Sequence, residues 1–162
     1  MSGIEVLSIR PALADEIWAC AELYERVARA TFVWQPVGYA NAHDFVRFAL
    51  EEEVWLADQG GFVVGTLSLD RPASFVHSLY VDPARQGQGV GRALVAAVAA
   101  TIDQPLSLKV QLPSRGARAF YRRLGFVEIE DGLDANGVGW LLLRQEVERA
   151  QPRRAGRHRT GG

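Results

Sequence analysis

Hydrophobic residues recur with two different periods over the first third of the chain. Residues 4–10 alternate apolar and polar side chains and stop at Pro11, a pattern that predicts a β-strand. Over residues 12–31 the apolar positions recur at helical spacing, which predicts an amphipathic helix. Residues 31–39 contain a proline and a glycine and predict a loop. Asn41 can then cap a second helix that runs to about residue 52.

Short apolar runs bounded by turn residues dominate the remaining sequence. Gly60-Gly61 separates two such runs and predicts a hairpin, and Gly125 follows a short helical segment as a C-cap glycine would. The predicted strands cover residues 54–58, 62–70, 75–81, 106–112, 126–130 and 138–143, and the predicted helices cover residues 92–102 and 115–124. The order is β-α-α-β-β-β-α-β-α-β-β, which indicates a mixed α/β (α+β) fold in a single domain.

Length and composition narrow the class of protein. The chain has 162 residues, of which 48% are hydrophobic and 23% are charged, as expected of one globular domain. Its single cysteine, Cys20, excludes an internal disulfide and a cysteine-based metal site. No apolar stretch approaches the ~18 residues that span a membrane, and the first 20 residues lack a signal-peptide pattern. We therefore expect a cytoplasmic protein with no membrane partner and no metal.

The net charge of −1 hides an asymmetry between the body of the chain and its end. Residues 149–162 hold five arginines and no acidic residue, which leaves 13 basic against 19 acidic residues in residues 1–148. A body of that sign does not favour nucleic acid as a partner. We expect one domain over residues 1–148 and a disordered arginine-rich tail over residues 149–162, although arginines could also contact phosphates or an acidic partner.

A glycine-rich segment over residues 86–91 connects a predicted strand to a predicted helix. Glycines let a ligand approach the backbone, and the amides at a helix N-terminus attract anions, so this arrangement favours phosphate binding. A dinucleotide fingerprint would need a glycine where Arg92 stands, and a phosphate-binding Walker loop would need Gly-Lys-Ser/Thr. The remaining alternative is a glycine turn that only packs.

Two motifs resemble the signatures of the GNAT family of N-acetyltransferases, about 28 residues apart. They are Val81-Asp82-Pro83 with Gln86-x-x-Gly89-x-Gly91-Arg92-Ala93-Leu94, and Ala117-x-x-Phe120-Tyr121-x-x-x-Gly125-Phe126. The similarity extends over about residues 3–145. It implies the GNAT fold and acetyl-CoA as co-substrate. Homodimers are common in this family, although no segment here identifies an interface.

The resemblance also implies where acetyl-CoA would bind. The backbone of Leu79, Tyr80 and Val81 would pair with the pantetheine arm. The pyrophosphate would lie in a cradle made by Gln86, Gly87, Gln88, Gly89, Val90, Gly91 and Arg92. Ser114 stands where many members carry asparagine; serine can still hydrogen-bond to the arm, but its side chain reaches less far. Tyr121 matches the tyrosine that protonates the departing thiolate, a role that suits a phenol; a core aromatic is the alternative.

An amine acceptor must lose a proton before it attacks a thioester, so we also expect a base or a water chain leading to one. His77 is the strongest candidate, because it lies in phase with Phe75 and Leu79 on the strand before the loop and histidine as a residue type suits proton transfer near neutral pH. It also matches a position where some arylalkylamine-directed GNAT members place a histidine base. The alternative is a structural histidine. Cys20 has no histidine close in sequence and is expected to pack, and residues 51–53, all glutamate, are expected to form a solvated helix end.

The resemblance places the acceptor pocket near the first two helices. Phe32, Trp34, Tyr39 and His43 cluster there and can form an aromatic wall for an apolar amine or, equally, close the core. We therefore predict transfer of an acetyl group to a primary amine of a small molecule by direct attack in a ternary complex. A protein N-terminal or lysine acetyltransferase, or a non-catalytic CoA-binding sensor, are the alternatives.

Overall fold

The computed structural model describes residues 5–146, in which seven strands and four α-helices follow one another in the predicted order. The strands are β1 (Leu7–Pro11), β2 (Glu53–Gln59), β3 (Phe62–Asp70), β4 (Phe75–Val81), β5 (Ser107–Gln111), β6 (Phe126–Leu133) and β7 (Gly139–Gln145). The helices are α1 (Ile17–Thr31), α2 (Ala42–Phe48), α3 (Val90–Ala99) and α4 (Arg115–Arg123). This mixed α/β arrangement confirms the predicted fold.

The strands form one sheet in the order β1-β2-β3-β4-β5-β7-β6. Every neighbouring pair is antiparallel except β4 and β5. Those two strands pair only at Phe75 with Ser107 and at Val76 with Leu108. Because the pairing stops there, the carboxyl-terminal halves of β4 and β5 are free to line a cleft in the middle of the sheet.

The helices cover the two faces of this sheet. Cys20 and Ala21 of α1 and Phe45 of α2 pack with Val54 and Leu56 of β2. The main core lies on the opposite face, where α3 and α4 pack against alternate residues of the same strands. Gly65 of β3 permits this contact, since a Cβ there would lie 2.8 Å from Val90 Cγ1 of α3.

Asparagine and glycine residues stand at several helix and turn boundaries. The Asn41 side chain accepts a hydrogen bond from the Asp44 amide, which confirms the predicted cap of α2. Gly60 and Gly61 both adopt positive φ in the β2–β3 hairpin, and Gly125 does so directly after α4, as predicted. Gly89, also at positive φ, caps α3, so that helix begins two residues before the predicted start.

Several predicted boundaries were wrong, and for two of them local contacts that compete with the hydrophobic pattern supply the reason. The first helix begins at Ile17, since Glu16 ends a 3-10 turn in which its carboxylate binds the Leu13 amide and Arg10. Helix α2 ends at Phe48, well short of residue 52. Strand β6 continues to Leu133 through residues that resemble a turn, because Gly132 leaves room for the Trp140 ring across the pair with β7.

The predictions of no membrane-spanning segment and no metal site can be compared with the structure only over the described residues. Within residues 5–146, no helix is long and apolar enough to cross a membrane, and no group of three or more His, Cys, Asp or Glu side chains is placed to hold a metal ion. Residue 4 of the first predicted strand and the arginine-rich segment 149–162 lie outside the described residues. The predictions made for them, including the domain boundary at residue 148, stay predictions.

Candidate active site

Two cavities meet where β4 and β5 separate. One, of about 590 Å³, is lined mainly by aromatic side chains and is called the aromatic cavity; the other, of about 550 Å³, lies against the loop before α3 and is called the glycine-loop cavity. Six residues line both: Phe32, Leu79, Tyr80, Ser114, Ala117 and Tyr121. The two cavities therefore adjoin, and a molecule in either would contact this shared wall.

One side of the glycine-loop cavity is the loop before α3, which exposes its backbone. Gly87 and Gly89 adopt φ values of +81° and +79°, and nothing lies within 4 Å of where a Cβ would be. The amides of Gly87 and Gly89 donate to no backbone carbonyl among the described residues, and the first amides of α3 have no partner within the helix. This loop therefore offers several amide donors at the positive end of a helix, as an anion requires.

The residues predicted to hold the pyrophosphate divide into two groups. Gln86, Gly87, Val90 and Gly91 line the glycine-loop cavity, whereas Gln88, Gly89 and Arg92 are exposed and do not line it. Gly91 also has a packing role, because a Cβ there would lie 3.2 Å from Phe120 Cζ. The lining further includes Val81, Arg85 and Arg123. The two arginines lie immediately before the loop and two residues after Tyr121, so scanning for basic residues beside the motifs could have found them.

Tyr121 and Ser114 occupy the shared wall. Tyr121 is 8% exposed and packs between Phe120 and Phe126. This burial raises the pKa of the Tyr121 hydroxyl above its usual value, so the phenol stays protonated at neutral pH. Ser114 is also buried, and its Oγ has no hydrogen-bond partner. An unpartnered buried hydroxyl facing both cavities fits a polar ligand atom there, as the pantetheine arm would supply.

The aromatic cavity draws its lining from residues far apart in the sequence. Nine of its lining residues are Phe, Tyr or Trp: Tyr24, Phe32, Tyr39, Phe45, Phe48, Phe75, Tyr80, Tyr121 and Trp140. Burial raises the pKa of Tyr24 to about 12, so this phenol is neutral at neutral pH. Of the four residues predicted to shape an acceptor pocket, Phe32 and Tyr39 line the cavity and Trp34 and His43 do not.

His43 and Trp34 have other partners. The ring of His43 stacks on Trp18 of α1 with 5.4 Å between centroids, so α2 directs it away from the cavity, contrary to its predicted place on the substrate side. The indole N–H of Trp34 donates to Gln111 Oε1 at 2.7 Å. Trp34 therefore supports the wall from behind, since Gln111 itself lines the cavity.

A polar network closes one end of the aromatic cavity. The buried Gln35 amide donates to Gln111 Oε1 and to Asp134 Oδ2, each at 2.9 Å, and Asn136 donates to Gln35 Oε1 at 3.0 Å. Tyr39 joins through a 3.3 Å contact from Gln111. These bonds tie the α1–α2 loop to β5 and to the β6–β7 turn. They also lower the pKa of Asp134, first through the Gln35 hydrogen bond and then through backbone amides.

His77 lies in the aromatic cavity beside a carboxylate. Its Nδ1 is 2.8 Å and 3.0 Å from the two oxygens of Glu52, and its ring meets Phe48 edge-on with 5.0 Å between centroids. The Glu52 side chain is only 17% exposed, so it is not part of a solvated helix end as predicted. Cys20 is buried, and this burial raises its thiol pKa, which disfavours the reactive thiolate.

The sequence and the fold are similar to those of known acetyltransferases. Residues 21–146 match the model of a family described as "Acetyltransferase (GNAT) domain". The chain is 24% identical over 160 residues to an uncharacterized N-acetyltransferase of Methanocaldococcus jannaschii, over 89% of this chain and 69% of that one. The apo form of YjaB from Escherichia coli has a similar fold, with a TM-score of 0.72 and 24% identity over 86% of this chain and 97% of that one. The PaiA N-acetyltransferase of Thermoplasma acidophilum, solved in complex with coenzyme A, has a TM-score of 0.71 and 14% identity over 88% and 99%.

Proposed function

The chain belongs to the GNAT family of acetyltransferases, and we propose that it transfers the acetyl group of acetyl-CoA to the primary amine of a small, apolar or aromatic molecule. The observation that carries this proposal is the shared wall of the two cavities, since a two-substrate reaction needs two binding spaces that meet. The glycine-loop cavity suits acetyl-CoA, and the aromatic cavity suits the body of the amine.

The cofactor side fits acetyl-CoA through this chain's own atoms. Amides of Gly87 and of the first turn of α3, which Gly89 precedes, would hold the pyrophosphate, with Arg85 and Arg123 adding positive charge. Ser114 Oγ would bind a polar atom of the arm. When bound, acetyl-CoA supplies the thioester that the amine attacks. Tyr121, protonated at neutral pH, donates to the sulfur as the C–S bond breaks.

The acceptor side favours a molecule with an apolar or aromatic body. Nine aromatic residues line its cavity, and they gain most from covering a ring or an alkyl chain. His77, which lines the same cavity, receives the proton that the ammonium group must lose before attack. Nitrogen then attacks the thioester directly. A cytoplasmic location and a homodimer stay predictions.

The test is a panel of acceptors assayed by thiol release from acetyl-CoA, with calorimetric binding of acetyl-CoA in parallel. The panel holds arylalkyl and alkyl primary amines, polyamines, amino acids and short peptides. We expect turnover mainly with arylalkyl or alkyl amines. In Tyr121→Phe, kcat should fall by roughly 100-fold or more while acetyl-CoA affinity changes by less than about twofold.

The other outcomes have distinct meanings. Turnover only with peptides would replace the small-molecule acceptor by a protein amine. Tight acetyl-CoA binding without turnover on any acceptor would favour a CoA-binding sensor, for which Tyr121→Phe should change nothing. Absence of acetyl-CoA binding would contradict the proposal as a whole.

A further inference from the structure

The β3–β4 ladder is irregular at His77. Ser68 pairs with Ser78 and Leu69 pairs with Val76, so His77 is an extra residue of β4 with no partner in β3. The parallel pairing of β4 with β5 also ends at Val76, one residue earlier. His77 thus lies in a β-bulge at the point where the sheet opens. Bulges are common beside active sites because they redirect a side chain.

A second contact fixes the direction of the redirected ring. Both oxygens of Glu52 lie within 3.0 Å of His77 Nδ1, and no described residue contacts Nε2 by a hydrogen bond. A carboxylate only accepts hydrogen bonds at neutral pH, so Nδ1 must carry the proton. In the neutral ring Nε2 then keeps its lone pair. The ring lines the aromatic cavity, whereas Glu52 does not.

We propose that Glu52 is a positioning residue that holds His77 in the tautomer with a free Nε2, so that Nε2 takes the proton of the acceptor ammonium. This inference rests on the proposed acetyl transfer. The proton moves from the ammonium to Nε2, the amine keeps the electron pair of the broken N–H bond, and the ring becomes an imidazolium. Glu52 remains ionised and stabilises that imidazolium through the Nδ1–H bond.

The other charged groups that share the cavity with His77 are bound elsewhere. Lys109, from the neighbouring strand β5, places its Nζ 4.1 Å from the centre of the Trp140 ring. Asp134 accepts hydrogen bonds from Gln35, Asn136 and Val138. The remaining titratable groups are Tyr24, Tyr39, Tyr80 and Tyr121, whose raised pKa values leave them neutral near pH 7. Glu52 is thus the one charged group among the described residues that contacts the His77 ring.

The experiment reads the tautomer directly and does not require turnover. Nitrogen-15 spectra of the full chain, which has three histidines, distinguish a protonated from a free imidazole nitrogen, and a His77→Gln variant assigns the signals. In the wild type, at a pH where the imidazole is neutral, Nδ1 should be protonated and Nε2 free. Glu52→Ala should mix the two tautomers, and Glu52→Gln should preserve the wild-type form because its amide oxygen still accepts the hydrogen bond.

Glu51→Ala is the matched control, because Glu51 is the exposed neighbour and carries the same charge. It should leave both the spectrum and the activity unchanged. With an accepted amine, Glu52→Ala should lower kcat by about tenfold or more, part of the roughly 10²–10⁴-fold that a positioned base contributes, with KM little changed. Glu52→Gln should recover part of that loss.

The two proposals fail in different ways. An unchanged His77 spectrum in Glu52→Ala overturns the positioning role whether or not an acceptor is known. A changed spectrum with unchanged kcat in an active enzyme overturns the link between His77 and the amine. Absence of acetylation by the wild type, with the tautomer shift present, contradicts the proposed function and leaves Glu52 as a structural partner of His77.

Discussion

The two cavities present different groups to a ligand. On its loop side, the glycine-loop cavity depends on backbone: glycines at positive φ and the first amides of α3, within one short segment. The aromatic cavity depends on side chains supplied by three helices, three loops and four strands. A loop that binds its ligand through backbone amides should tolerate side-chain changes but lose affinity when φ is restricted. A cavity lined by side chains should change its ligand preference when those side chains change.

Among the variants proposed here, Gly89→Val is expected to show the largest difference between its effect on acetyl-CoA binding and its effect on amine binding. Gly89 has φ of +79°, a region that a β-branched residue adopts only with strain of about 1–3 kcal/mol, so the loop must move. Acetyl-CoA affinity should fall by about tenfold or more, whereas KM for the amine, measured at saturating acetyl-CoA, should change little. Calorimetric titration with acetyl-CoA measures the first value and steady-state kinetics the second.

Gly61→Val is a matched control for that experiment. Gly61 has φ of +83° with open space around it, and it lies in the β2–β3 hairpin away from both cavities. It should lower thermal stability by a similar amount but leave acetyl-CoA affinity unchanged. Equal losses of affinity in the two variants would mean that Gly89 acts only through stability.

The converse result, weaker amine binding with acetyl-CoA binding unchanged, is expected from Gln35→Ala. Gln35 is buried and connects Gln111, Asp134 and Asn136, so its removal leaves polar groups unpaired at the end of the aromatic cavity. KM for the amine should rise about 5-fold to 30-fold, from a loss of about 1–2 kcal/mol, with acetyl-CoA affinity unchanged. Exposed Gln104 supplies the control variant Gln104→Ala, which should have no effect. A loss of acetyl-CoA affinity in Gln35→Ala would show that the network supports both cavities.

The same difference explains what could be predicted from the sequence. The order of elements and the turn at Gly125 follow from local patterns a few residues long, whereas the role of Tyr121 was expected from the resemblance of its motif to the GNAT family. The Gln35 network joins residues 76 to 101 positions apart, and no local pattern records such a contact. Glu52 was missed for a related reason: the helical pattern continues past Phe48, whereas the helix ends there and Glu52 turns toward His77.

The smallest effect, and the most direct test of a backbone-built site, is expected from Gln88→Ala. Gln88 lies within the loop motif, between two glycines at positive φ, yet its side chain is exposed and does not line the cavity. Alanine keeps the main-chain amide and introduces no strain, because only the flanking glycines adopt the left-handed conformation. Acetyl-CoA affinity should therefore change by less than about twofold, or less than about 0.4 kcal/mol. A loss near that of Gly89→Val would mean that side chains of this segment bind the cofactor, and the contrast between the two cavities would no longer hold.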